Sequence, residues 1–240
     1  MTIREMHYDA KQKLNKIDSQ KYRDLLIPEL DWKLNEAQEV FVKIIAEPRT
    51  KNELGFEVNQ RTIDDIRTIV VDQKPTEYIV PSQYDDSSYI ATLPDDYWFL
   101  VKTKIMASKG NCKNVLLYDS SPVQHDDETQ YDKFNNSSFE WRCSNYRFNK
   151  EGLRVFTDGS YTIDKVGLEY LQRPITMYNA ADWEDGTYNG LDGQVYTGTQ
   201  DCQLPVGVHR EIVDLAVLII ANDLNLPNYS LKMNKIKIIN

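Results

Sequence analysis

The stretch LRVFTDGSYTIDKVGLEYL, Leu153 through Leu171, decides how the middle of this chain is read. Asp158-Gly159 stands between two runs rich in β-branched and aromatic residues, a junction that favours a two-residue turn with positive φ. The pattern predicts a hairpin in which Phe156 faces Tyr161 across the ladder. Apolar residues hold odd positions up to Ile163 and even positions from Val166 through Leu168 to Tyr170, so a bulge near Asp164-Lys165 has to switch the buried face. Pro174 ends the second strand.

Working outward, the period stays at two back to Lys74. Glu77–Val80 and Ser88–Leu93 are short strands, and Phe99, Val101, Thr103, Ile105 and Ala107 alternate with Lys102 and Lys104 as a half-wet strand does. Gly110-Asn111 turns that strand into Lys113–Tyr118. Asp126–Phe134 is expected to form a short surface helix. Beyond the hairpin, Ile175–Gln203 holds four of the ten glycines, with Tyr178, Trp183, Tyr188 and Tyr196 set among acids. Such a loop is either packed or a contact surface.

The flanks are helical. Ala10–Leu26 is rich in helix formers with few apolar positions, whereas Glu29–Ala46 follows Pro28 and repeats Leu30, Leu34, Ala37, Val40, Phe41, Ile44 and Ile45 at threes and fours. Asn59 is placed to cap a third helix striped by Ile63, Ile66, Ile69 and Val70. Val208–Leu226 is apolar around most of its circumference and needs cover on several sides. The first helices are its natural cover. The expected fold is therefore α+β: a discontinuous helical bundle (residues 1–74 and 204–227), an inserted antiparallel β-domain (75–203, with the aromatic loop 175–203) and a C-terminal arm (228–240). In that arm Lys235 and Lys237 alternate with Ile236 and Ile238, a pattern suited to adding a strand to another chain's sheet.

At 240 residues, 41% hydrophobic, the chain is long enough for a sizeable core. The longest uncharged apolar run, Leu215–Ala221, falls far short of a membrane span, and charge at Arg4 and Glu5 argues against a signal peptide. Cys112, Cys143 and Cys202 are too widely spaced for a zinc site and suit a reducing compartment. The net charge is −9, and it is uneven: residues 1–74 carry 13 basic and 14 acidic side chains, 75–203 carry 11 and 20, and 204–240 carry 4 and 3. Nucleic-acid affinity needs the opposite sign, so tight binding by the middle segment is not expected.

Catalytic templates fail on spacing. His7, His125 and His209 are isolated, and no phosphate-cradling glycine loop or nucleophile elbow occurs. Asp182, Glu184, Asp185, Gly186 and Asp192 lack the ligand alternation of a calcium loop. Acid pairs such as Asp95-Asp96 and Asp126-Asp127 suit solvated or capping roles in an acidic domain better than a glycosidase. No enzyme activity, metal or cofactor is expected.

In succession, Leu93-Pro-Asp-Asp-Tyr-Trp98, Val123-Gln-His-Asp-Asp127, Gly152-Leu-Arg-Val-Phe-Thr-Asp-Gly-Ser-Tyr-Thr-Ile-Asp164, Leu168-Glu-Tyr-Leu-Gln-Arg-Pro174 and Leu204-Pro-Val-Gly-Val-His-Arg-Glu-Ile-Val-Asp-Leu-Ala216 resemble the head-to-tail adaptor proteins of short-tailed phages. The likeness is greatest to the ring proteins of crAss-like phages. It spans roughly residues 30–226, and the insertion around Tyr178–Thr199 departs from the pattern. The resemblance implies a virion protein at the head-tail junction, with twelve copies in a ring between portal and tail proteins. The genome passes through its channel without specific binding, and no membrane is involved. Candidate subunit-contact residues are Arg154 with Asp164, Trp183 and Tyr188 in the loop, and Lys235, Ile236, Lys237 and Ile238 in the arm. A rival reading, from the loop aromatics, is a carbohydrate-binding tail component.

Overall fold

The computed structural model describes residues 1–15, 25–46, 60–76, 79–82, 87–125 and 137–224. The chain is α+β and divides into two units, one made of Met1–Ile69 with Pro174–Asn240 and the other of Val70–Arg173.

In the first unit, helix α1 (Ile3–Asn15) buries Ile3, Met6, His7, Ala10 and Leu14, one face at spacings of three and four. A reciprocal cap starts it: Thr2 Oγ1 accepts the Glu5 amide and Glu5 Oε2 accepts the Thr2 amide. The helix begins earlier than the sequence predicts, because its stripe contains a histidine and an alanine that a hydrophobicity pattern passes over. Helix α2 (Ile27–Ala46) has Pro28 in its first turn and buries Leu30, Leu34, Ala37, Phe41 and Val42, together with Asp31 and Gln38. Helix α3 (Gln60–Ile66) runs into a 3-10 turn at Arg67–Ile69, and Val70 already belongs to a strand rather than to the helical stripe. Its expected cap, Asn59, lies outside the described residues, as do Asp126–Phe134 and the arm 228–240. Helix α4 (His209–Asp223) buries Ile212, Val213, Ala216, Val217, Leu218, Ile220 and Ala221 and packs on α1 and α2.

The second unit holds β1 (Val70–Pro75), β2 (Ile79–Pro81), β3 (Ser88–Ala91), β4 (Tyr97–Lys109), β5 (Cys112–Leu117), β6 (Asp119–Pro122), β7 (Cys143–Asn149), β8 (Gly152–Phe156) and β9 (Thr162–Gln172). They make two sheets, ordered β1-β9-β4-β5 and β2-β3-β8-β7-β6. The sheets share one core of Ile105, Ala107, Leu117, Tyr146, Leu153, Val155, Ile163, Val166, Leu168 and Tyr170. The β4–β5 hairpin turns at Gly110 (φ 58°) as expected. The bulge is also where the alternation places it: Lys165 opposes Met106 and Ile163 opposes Ala107, leaving Asp164 unmatched.

The Asp158-Gly159 hairpin does not form. β8 pairs with β7 and β3, and β9 pairs with β4 and β1, so the chain changes sheet at this point. Thr157 is tied by its amide and its hydroxyl to the Ser87 carbonyl, and Gly159 (φ 78°) turns the chain onward. The hairpin preceding β8 lies instead at Asn149–Gly152, where Asn149 Oδ1 accepts the amides of Glu151 and Gly152. Gly152 (φ 143°) approaches the neighbouring strand so closely that a Cβ would stand 2.3 Å from the Ala91 carbonyl oxygen. The unit also departs from a purely antiparallel fold, since β6 and β7 run parallel.

Residues 175–203 belong to the first unit and not to the β-domain. They contribute β10 (Tyr178–Asn179), paired with β13 (Thr199–Gln200), and β11 (Thr187–Asn189), paired with β12 (Val195–Thr197). This moves the charge. Val70–Arg173 carries 12 basic and 16 acidic side chains, net −4, whereas residues 174–203 carry five acids and no Lys, Arg or His, net −5.

Candidate functional site

The segment 174–203 is held on α1 and α2 by polar side chains that recur along one face of α2. Gln38 Nε2 donates to the Ile175 carbonyl at 3.3 Å. Asn35 takes both backbone groups of Met177, donating to its carbonyl at 2.7 Å and accepting its amide at 2.8 Å. Asp31 Oδ2 accepts the Asn179 amide at 3.0 Å and the Tyr188 hydroxyl at 2.7 Å, while its Oδ1 lies 2.7 Å from His7 Nε2. Positions 31, 35 and 38 share one helical face, so α2 meets the hydrogen-bonding demand of an extended segment as a sheet edge would. Asp31 and His7 are both buried, and a buried carboxylate is tolerated only with such a complement of donors.

Further fastenings follow from the acids. Arg4 pairs with Asp182 at 2.7 Å, and Asp201 Oδ1 accepts the Ile3 amide at 2.7 Å, one of the amides that α1 leaves unpaired at its start. Hydrogen bonds from Asn179 and then from Arg4 hold the Asp182 carboxyl below the usual carboxylate range. His209 sits between the carbonyls of Met1 and Leu204. The Cys202 thiol donates to Gln38, and burial pushes its pKa up to about 11.

The loop aromatics pack on one another. Tyr196 stacks between Tyr178 (centroids 4.6 Å apart) and Tyr188 (5.4 Å), and its hydroxyl donates to Asp192. Burial, then the Asp192 carboxylate, raises Tyr196 to about 12, and burial with Asp31 raises Tyr188 further. Gly190 admits this packing, since a Cβ there would meet the Tyr196 ring at 2.3 Å. The outward side is different in kind: Glu184, Asp185, Leu191 and Val195 are exposed.

The expected contact residues are therefore dispersed. Tyr188 turns inward to Asp31, and Trp183 is half-buried between two 3-10 turns, Ala180–Asp182 and Glu184–Gly186. Arg154 and Asp164 lie on different sheets and form no ion pair within the chain. Asp164 accepts the Ser108 hydroxyl and the Asn114 amide, while Arg154 stands opposite Arg147. Lys235, Ile236, Lys237 and Ile238 lie outside the described residues. What the sequence missed is the polar stripe Asp31, Asn35 and Gln38, whose helical spacing was visible amid the apolar repeat.

The acids weighed as a calcium loop do not converge, and among the described residues no group of three or more His, Cys, Asp or Glu could hold a metal ion. Asp96, from the Asp95-Asp96 pair, accepts the Tyr170 hydroxyl at 2.8 Å and the Lys74 ammonium at 3.3 Å. Among the described residues no helix is long and apolar enough to cross a membrane.

No curated protein matches the chain. A family model, crAss phage tail ring protein 3/4, matches residues 1–227, which include all the described parts of both units. Over that span the chain is a virion structural component, and it belongs to the phage tail ring protein 3/4 family.

Proposed function

We propose that this protein forms one ring of the head-to-tail connector, by association of about twelve copies between portal and tail, and that the genome passes through its channel without specific contact. The observation that carries this reading is the family match over residues 1–227, which takes in the helical unit, the β-unit and the loop that α2 holds. The role is structural, with no catalytic step. The two helical segments act as one discontinuous unit of each copy in that ring.

Charge supports the passage of DNA. Each copy carries −9, so a ring repeats an acidic surface around its axis, and an acidic wall repels a polyanion rather than gripping it. The carbohydrate-binding alternative loses its main support, because Tyr178, Tyr188 and Tyr196 stack on one another with two of their hydroxyls on carboxylates. Light scattering after size exclusion, with and without portal protein, tests the proposal. The expected result is a particle of about twelve times 28.0 kDa with ring-shaped averages in negative stain. A chain that stays monomeric in both mixtures would sink it, and a basic belt on the lumen of an assembled ring would remove the role of charge.

A further inference from the structure

Arg147 and Arg154 are register partners on β7 and β8, interior strands of the five-stranded sheet. Arg154 alternates with Leu153 and Val155, which point into the core, so the two guanidiniums lie on the opposite face. Like charges directly opposite each other weaken a sheet. Nothing among the described residues relieves this pair. The Nε of each arginine is buried without a hydrogen-bond partner, and among the described residues neither side chain has a carboxylate partner. The Arg147 guanidinium lies 5.2 Å over the Phe156 ring, which orients it without neutralising it.

The complementary feature is on the loop. Asp182 has Arg4, Asp192 has Tyr196 and Asp201 has the Ile3 amide. Glu184 and Asp185, adjacent and exposed, have no cation among the described residues. Asp185 is held at φ 60°, a conformation that costs energy for a residue other than glycine.

We propose that Arg147 and Arg154 form a carboxylate-receiving site whose ligand is the Glu184-Asp185 turn of a second copy of this chain. The inference rests on the ring reading and adds its contact. Paired guanidiniums present fixed forks of donors that match carboxylates bidentately. One patch meeting a different patch on the next copy is the heterologous contact from which rings close. A carboxylate turn fits better than DNA, because the unit bearing the arginines is net −4 and repels an extended polyanion.

Sedimentation velocity on the full chain tests this, with melting temperature as the companion measurement. Replacing both arginines by glutamine (R147Q with R154Q) is expected to weaken self-association by about tenfold or more while leaving the melting temperature unchanged or raised, since the repulsion is gone. Wild-type assembly in that variant, or a lowered melting temperature, would overturn the proposal. Charge reversal gives a second arm. R147E with R154E, and separately E184K with D185N (asparagine tolerates positive φ), are each expected to fail to assemble, whereas their mixture assembles because the reversed charges meet. A mixture of folded variants that stays apart refutes the contact. If the glutamine variant assembles normally but loses salt-sensitive binding of duplex DNA, the site faces the genome and the proposal falls. A wild-type chain that never self-associates would instead sink the ring reading itself.

Discussion

The Tyr188 hydroxyl donates to Asp31 Oδ2 at 2.7 Å, across 157 residues of sequence, and that bond joins the acidic loop to the second helix of the protein. The same carboxylate serves His7 and the Asn179 amide, so a single α2 side chain fixes a helix and a loop together.

Removing that carboxylate is expected to be severe. Asp31→Ala leaves three polar groups, two of them on the buried residues His7 and Asn179, without their acceptor and costs about 3–5 kcal/mol. Tyr188→Phe, which removes only one donor, costs about 1 kcal/mol. Urea denaturation measures both, and hydrogen exchange is expected to show protection lost first at residues 175–189. Equal costs for the two variants would mean that Asp31 does not hold the network.

Two glycines separate a steric cost from a conformational one. Gly152→Ala drives a Cβ to 2.3 Å from the Ala91 carbonyl and is expected to cost more than about 3 kcal/mol. Gly159→Ala, at φ 78° in open space, is expected to cost about 1–2 kcal/mol. Denaturation midpoints of the two variants give the order, and the reverse order would contradict the strand packing around β3.

Acid is expected to loosen the β-unit through Asp96. Partial burial opposes its ionisation, but the Tyr170 hydroxyl and the Lys74 ammonium outweigh that and lower its pKa. A lowered carboxylate pKa stabilises the fold fully above the unfolded value of about 3.9, and the contribution is lost as pH falls through the folded value. Denaturation midpoints from pH 6 down to pH 2 are expected to drop below about pH 4, with a shallower decline in Asp96→Asn. Identical pH profiles for the two proteins would remove Asp96 from the acid response.

Thiol chemistry reports the loop's packing on α2. Cys112 is exposed, whereas Cys202 is largely covered, donates to Gln38 and has its pKa raised to about 11 by burial. Alkylation at pH 8, read by peptide mass, is expected to label Cys112 in the native protein and Cys202 only with unfolding. Early labelling of Cys202 would show that the loop leaves the helix.

Much of the fold was legible because its cause is local. The 20-residue α2, the β4–β5 turn at Gly110 and the bulge at Asp164 each follow from spacing within one stretch of chain. The Asp158-Gly159 turn failed for the opposite reason. Turn chemistry allows the chain to reverse there, but β8 has a ladder on each side from β7 and β3, and β9 from β4 and β1. Those four pairings outweigh the one the turn offered. Trp183 and Tyr188 were likewise visible as aromatics in an acidic loop, without a sign that Tyr188 turns inward.

By itself, then, the sequence determined the long helix α2, the strands on either side of Gly110, where the buried face switches, and that the excess of acid lies between residues 75 and 203, because these depend on neighbours a few residues apart. Only the tertiary structure decided which strands share a sheet, that the base-free acidic loop rides on α2 rather than on the β-unit, and that Arg154 stands beside Arg147 instead of Asp164. Those outcomes depend on which distant groups can satisfy one another's hydrogen bonds and charges at once, and no local spacing encodes that competition.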